Sequence, residues 1–284
     1  MKKVVLFFFA VSTLAFTSCE KSSPPDIKRI KDRGTLVVAM HKENQPPMFM
    51  TGEEGDLVGF DADIARDIAE KLGVDLEYNR SATTYDEVVD VVANGDADVA
   101  ISWMSSTIER AQRAGVSDPY YVIYPMLLVN SEHVPEGEKN DIEAFLQKDG
   151  IKIGIEGGTS YLGFVKEEYS RANIIQYPSD TLHDALWKGD VDAIMHDSIY
   201  MQGILMRYPQ LKRISEAVIS EKKPDYIVFY LNKKDRHLKE WLNIYIKILR
   251  LTNGIDALTE KYITEDHEIL KPYEKALSNI EGIL

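Results

Sequence analysis

Between residues 59 and 72 the apolar side chains of Phe60, Ile64, Ile68 and Leu72 recur every four positions, with Ala65 and Ala69 beside them. That spacing predicts an amphipathic helix, with Asp61 and Asp63 suited to its N-terminal dipole and Gly73 to its stop. Ahead of it, the apolar run at 36–40 predicts a buried strand. Gln45, Pro46, Pro47 and Met48 then form a loop, because prolines lack the donor that a helix interior or central strand needs. Residues 74–78 predict the next strand.

A second helical face follows in Tyr85, Val88, Val89 and Val92, closed by Asn94 and Gly95. Asp98 leads from it into an apolar strand at 99–102. The construction returns about ninety residues later: Leu182, Ala185 and Leu186 share a face, Gly189 ends it, and Asp192 leads into a strand at 193–195. NGDADVAI and KGDVDAIM thus carry Gly, Asp, one residue and Asp at the same spacing. Two α/β units of like build predict two lobes, each with a mostly parallel sheet flanked by helices. The apolar stretch 120–130 leaves the first lobe, 151–155 opens the second as a strand, and 226–231 is placed to carry the chain back. Residues 238–251 and 254–262 read as helices. The last twenty residues are polar and helical in tendency.

Two turns carry candidate chemistry. VAISWMSSTIER at 99–110 runs from an apolar strand into the hydroxyls of Ser102, Ser105 and Ser106, then reaches Arg110 just inside a helix. Hydroxyls, helix-terminal amides and a guanidinium fork together suit a carboxylate. The plainer alternative is a capping box formed by Ser106 and Glu109. After the strand at 151–155 come Gly157, Gly158, Thr159 and Ser160, either another anion-receptive turn or a tight turn with a Thr or Ser cap. A phosphate loop requires a lysine after the glycines, where this chain has Tyr161.

The net charge of -13 argues against nucleic acid as a partner. Lys2, Lys3 and the apolar stretch that follows make residues 1–18 a signal peptide. Cys19 is the only cysteine, so it cannot pair internally; it is a free thiol, an intermolecular bridge or a modified residue. Residues 19–33 are expected to serve as anchor and tether, with a short helical turn at 27–33. No later segment offers the roughly 18 apolar residues of a membrane span. Of the histidines, His41, His133, His183, His237 and His267 read as surface or structural, and His196 stands out beside Asp197. No metal or cofactor is expected.

The motifs together resemble the bacterial extracellular solute-binding proteins that serve amino-acid importers. The resemblance spans about residues 34–263: Pro46-Pro47 with Met48, GFDADIARDIAEKLGV at 59–74, NGDADVAISWMSSTIER at 94–110, SDPYY at 117–121, GIEGGTS at 154–160 and GDVDAIMHDS at 189–198. It implies two lobes joined by two crossover strands, lobe 1 comprising 34–126 and 227–284 and lobe 2 comprising 127–226. It further implies that a ligand carboxylate is held by Arg110 and by Ser105, Thr159 and Ser160. The ligand ammonium falls to Asp197, Ser105 and the Trp103 carbonyl. Tyr85, Gln45, Met48, Ser102 and Gly158 are expected to wall the pocket. Gln45 and Met48 stand where many relatives carry aromatics, and Trp103 where a small residue is usual.

Cys19, after small residues, resembles the lipobox cysteine that becomes an acylated N-terminus, although Phe16 stands where a leucine is more usual. The implied protein is a monomeric, lipid-anchored binding component of an ABC importer, partnered by a permease and performing no catalysis. Two rivals share the scaffold. Cyclohexadienyl dehydratases act on prephenate-like acids but need a carboxylic acid shortly after the Asp197 position, where this chain has Ser198, Ile199 and Tyr200. A ligand-sensing regulatory module would need a separate partner protein.

Overall fold

The computed structural model describes residues 23–220 and 223–263. The signal peptide, Cys19 and the tail from residue 264, including His267, lie outside the described residues. In chain order the elements are α1 (Pro25–Arg33), β1 (Thr35–Ala39), β2 (Met50–Thr51), β3 (Leu57–Val58), α2 (Phe60–Leu72), β4 (Asp75–Asn79), α3 (Tyr85–Asn94), β5 (Val99–Ser105), α4 (Ile108–Ala111), β6 (Gly115–Val116) and β7 (Tyr121–Ile123). There follow β8 (Pro125–Asn130), α5 (Ile142–Leu146), β9 (Lys152–Glu156), α6 (Tyr161–Glu168), β10 (Asn173–Tyr177), α7 (Leu182–Trp187), β11 (Ala193–Asp197), α8 (Ser198–Arg207), β12 (Ser215–Ile219), β13 (Asp225–Leu231), α9 (Arg236–Leu251) and α10 (Gly254–Tyr262).

Two sheets build the two lobes. The first has the order β4-β1-β5-β13-β6, with β7 also paired to β13; the second has the order β10-β9-β11-β8-β12. In each, three neighbouring strands are parallel and the next is antiparallel: β13 beside β5, and β8 beside β11. The chain crosses between these two sheets twice, between β7 and β8 and between β12 and β13, and β2 pairs with β3 in a separate two-stranded sheet. Helix α2 buries Phe60, Ile64 and Ile68 in one core cluster of the first sheet, as its four-residue spacing predicts. Helix α3 buries Val88, Val89 and Val92 in another.

The repeated Gly-Asp junction has the same geometry in both lobes. Gly95 and Gly189 take left-handed conformations at φ 88° and 72°, and the following Asp96 and Asp190 amides donate back to Val91 and Ala185 carbonyls at 2.9 and 3.0 Å. This is the six-to-one bond of a Schellman stop. Two residues on, the Asp98 carboxylate accepts from the Val37 amide of β1 at 2.9 Å, and Asp192 accepts from the Lys152 amide of β9 at 2.7 Å. Each aspartate therefore ties the start of its strand to the neighbouring parallel strand.

The segment 25–33 departs from the expected tether. It forms a nine-residue helix with Ile30 fully buried. Arg29 grips Asp235 through two bonds of 3.1 and 2.9 Å and reaches Asp98 at 3.2 Å, and Arg33 also pairs with Asp98. An apolar anchor plus paired guanidinium groups makes α1 part of the first lobe.

Candidate functional site

The site begins with an irregularity in β5. Against β13, Val228 faces Met104 and Tyr230 faces Ala100, so Phe229 alone spans Ile101, Ser102 and Trp103. Such a bulge re-aims side chains and releases backbone from the ladder. Trp103 sits within it at φ 49°, a left-handed conformation uncommon for a bulky residue. Its amide donates to Asp61 Oδ2 at 2.5 Å, and Tyr120 donates to Asp61 Oδ1 at 2.7 Å. Burial pushes the Asp61 carboxyl up to about 7 against the lowering effect of those two bonds. The indole is braced by Phe60, Tyr120 and Tyr121, with ring centroids 5.5, 6.2 and 5.0 Å away.

Beyond Trp103 the chain stays extended longer than the sequence suggests. Ser105 still pairs with Ile227, and the Ser106 amide donates to the Tyr226 carbonyl at 2.8 Å. The alternative Ser106–Glu109 capping box does not form; the cap is Thr107, whose hydroxyl accepts from the Arg110 amide. Helix α4 has only four residues, so the macrodipole adds little and the guanidinium carries the positive charge. Arg110 is buried, donating from Nε to Asp86 at 3.0 Å. Its other nitrogens make long contacts of 3.4 Å to the Ser105 carbonyl and 3.5 Å to the Gly158 carbonyl. Bonds this long are weak, so a carboxylate can displace them and take the fork.

Lobe 2 meets this edge through its glycine turn. Gly158 takes φ 78°, and a Cβ there would stand 3.2 Å from Thr84 Cβ, so glycine permits both the turn and the close approach of the lobes. The Thr159 hydroxyl donates to the Glu156 carbonyl at 2.8 Å inside the turn. Ser160 occupies the N-cap of α6 without a side-chain cap bond. Its hydroxyl instead lies 2.7 Å from that of Ser105. Ser105 in turn donates to Asp225 Oδ2 at 2.7 Å, and Tyr161 reaches the same oxygen at 3.4 Å. Burial pushes the Asp225 carboxyl up to about 6, although Ser105 and Arg110 pull it down.

Asp197 caps α8 through the Tyr200 amide at 2.8 Å, and its other oxygen meets His196 Nδ1 at 2.8 Å. His196 Nε2 lies 3.3 Å from Glu156, and its ring stacks on Tyr200 with centroids 3.9 Å apart. Burial opposes a charge on this imidazole, yet Asp197 and Glu156 hold it up to about 9. With His196 protonated, the group of three keeps a net negative charge facing Arg110.

Arg110, Ser105, Thr159, Ser160, Asp197 and Trp103 border one cavity of about 20 Å³, which Tyr85 and His196 also line. Gln45 and Met48 border a second of about 20 Å³ that shares Tyr85, Trp103, His196 and Asp197. Each has room for about one water molecule. A cleft of about 770 Å³ opens outward between the lobes, with Glu43, Asp180 and Arg207 on its walls. Ser102 is placed apart: fully buried, its hydroxyl accepts from the His41 amide at 3.0 Å, so it supports β1 rather than a ligand. Asp225, Glu156 and Asp86 were not assigned to the site from the sequence, and Asp61 was assigned only to a helix dipole. Of these, only Asp61 carried a signal, as an acidic residue on the first turn of an otherwise apolar face.

The sequence profile of the bacterial extracellular solute-binding proteins, family 3, matches residues 36–265. The chain belongs to that family. The L-cystine-binding protein TcyJ of Escherichia coli (strain K12) is 24% identical over 241 residues, covering 84% of this chain and 86% of that protein. Among solved structures, the ancestral amino acid-binding protein AncCDT-1, a precursor of cyclohexadienyl dehydratase, has a TM-score of 0.69 at 25% identity, covering 84% of this chain and 99% of its own. The ABC transporter substrate-binding protein AbpA from Streptococcus pneumoniae Canada MDR_19A, bound to L-arginine, has a TM-score of 0.67 at 27% identity, covering 82% and 96%. The two-lobed α/β architecture of the solute-binding family is thus the architecture of this chain, and no helix among the described residues is long and apolar enough to cross a membrane.

Proposed function

We propose that this protein is the substrate-binding component of an ABC importer, capturing an amino acid or similar small zwitterion between its lobes and delivering it to a permease. The observation that carries this reading is Arg110 of the first lobe and Asp197 of the second, both buried and bordering one cavity. A carboxylate on Arg110 and an ammonium on Asp197 join the lobes through the ligand, and only the closed form makes both contacts. An amino acid exceeds about 20 Å³, so it enters when the Ser105–Ser160 contact opens and closes the cleft around itself. The expected lobe bounds, 34–126 with 227–284 and 127–226, are taken with α1 added to lobe 1 and with the crossings set just before β8 and β13, the protein acting as a monomer. Cys19 is taken as the acylated N-terminus that holds it on the outer side of a bacterial membrane, two or more chains giving a stable anchor.

Titration calorimetry of the mature protein with a panel of amino acids tests the binding role. At least one should bind at micromolar or tighter, and Arg110→Ala should abolish it; millimolar binding throughout would overturn the reading. Detergent phase partition of wild type against Cys19→Ser tests the anchor, which fails if both stay in the aqueous phase. Catalysis forms no part of this proposal, since Ser198, Ile199 and Tyr200 offer no carboxylic acid after Asp197. Turnover of prephenate or arogenate would reverse that.

A further inference from the structure

Buried hydrogen-bonding groups in folded proteins nearly always have partners, so a donor left without one inside a binding cavity asks what it is kept for. Trp103 Nε1 and Gln45 Nε2 are two such donors: both residues are more than nine-tenths buried, and neither nitrogen has a hydrogen-bond partner among the described residues. An indole N–H can only donate. It is also held at some expense, because the β5 bulge puts Trp103 in a left-handed conformation and the aromatic rings of Phe60, Tyr120 and Tyr121 fix the indole there.

We propose that Trp103 and Gln45 are a specificity pair that reads a hydrogen-bond acceptor on the ligand's side chain, selecting amino acids that end in a neutral carbonyl oxygen, such as a carboxamide. This rests on the amino-acid reading of the site. The two small cavities share Tyr85, Trp103, His196 and Asp197. A ligand with its α-groups on Arg110 and Asp197 therefore passes its side chain between the indole and lobe 2. Met48 and Ile199 give that path apolar walls suited to a methylene stem. At its end a guanidinium or ammonium has no acceptor to offer and would leave the indole N–H and Gln45 Nε2 unpaired. A second carboxylate would meet the negative charge of Asp197 and Glu156. A carboxamide oxygen takes the N–H bonds without either conflict.

The test is calorimetry on the full mature chain with glutamine, with norleucine, which has a similar stem and no acceptor, and with arginine. Glutamine should bind at least about tenfold more tightly than either, and Trp103→Phe, which keeps a ring and removes the N–H, should bring the glutamine-to-norleucine ratio close to one. Gln45→Leu should lower the same ratio, and it decides the matter if the Phe variant fails to fold by circular dichroism. An unchanged ratio in a folded variant overturns the proposal, as does tighter binding of arginine than of glutamine. If arginine or norleucine binds and glutamine does not, the amino-acid reading stands and this inference falls. If no amino acid binds, both fall.

Discussion

The hydroxyls of Ser105 and Ser160 stand 2.7 Å apart and join β5 of one lobe to the turn before α6 of the other. This bond exists only while the lobes are together, and a neutral hydrogen bond contributes about 0.5–1.5 kcal/mol net. Ser160→Ala should therefore speed ligand release roughly two- to tenfold, as read by stopped-flow fluorescence. It should also enlarge the radius of gyration of the ligand-free protein in small-angle scattering. No change in either would mean that closure is held elsewhere.

Arg110 lends itself to separating binding from folding. Its partner Asp86 has a side chain 54% exposed, so losing the guanidinium leaves a solvated carboxylate rather than a buried orphan. Arg110→Lys keeps the charge but not the two-pronged geometry. It is expected to weaken binding by about a hundredfold or more while costing about 1–2 kcal/mol of stability, because the lysine keeps the buried charge beside Asp86. A large fall in melting temperature would show that Arg110 is mainly structural.

Asp98 and Asp192 should differ in cost although they perform the same tie. Asp98 also receives Arg29 and Arg33, whereas among the described residues Asp192 receives only His133 besides its strand amide. Asp98→Ala should cost about 2–3 kcal/mol and Asp192→Ala about 1–2, measured by urea unfolding. Equal costs would argue that the two arginines add nothing at this surface.

Stability should fall as pH rises through neutrality. The folded state holds the Asp61 proton up to about pH 7, while an unfolded aspartate releases it near pH 3.9. Between those values the native state binds more protons than the unfolded one, so its advantage is complete below the lower value and is lost on passing the upper. His196, held up to about 9, acts with the same sign over the next interval, from about 6.5 upward. Thermal melts from pH 4 to 9 should decline in both intervals. Asp225, raised to about 6, adds to the first interval with the same sign, so Asp61→Asn should lessen the decline there and leave the second interval unchanged, because the amide oxygen can still accept from the Trp103 backbone.

Much of this was legible in the sequence, and the reasons can be named. Helix α2 follows from four-residue spacing, and the Gly-Asp junctions reappear because a left-handed stop and a strand tie demand those residues at that interval. Arg110 and Asp197 lie in segments whose order matches the solute-binding family. Asp225 was not legible, since a single aspartate before an apolar run looks like any solvated strand end. Its carboxylate is held by Ser105 and Tyr161, 120 and 64 residues away. The β5 bulge was equally silent: side-chain alternation says nothing about a register that depends on the partner strand. Which residue caps α4 was left open because three hydroxyl residues in a row compete for the cap, and pairing of Ser106 with Tyr226 decides in favour of Thr107.

The strand order also sets an itinerary for folding. The second sheet draws all its strands from one contiguous stretch, β8 to β12, so its pairings form from nearby segments as soon as they are available. The first sheet cannot do this. Its strand β13, which lies between β5 and β6, starts 120 residues after β5 ends, and until it arrives the edge of β5 that carries Trp103 and Ser105 is unpaired. The lobe that supplies Arg110 and Trp103 is thus the last to be completed, and a chain interrupted before residue 225 would have a finished second lobe beside an open first sheet.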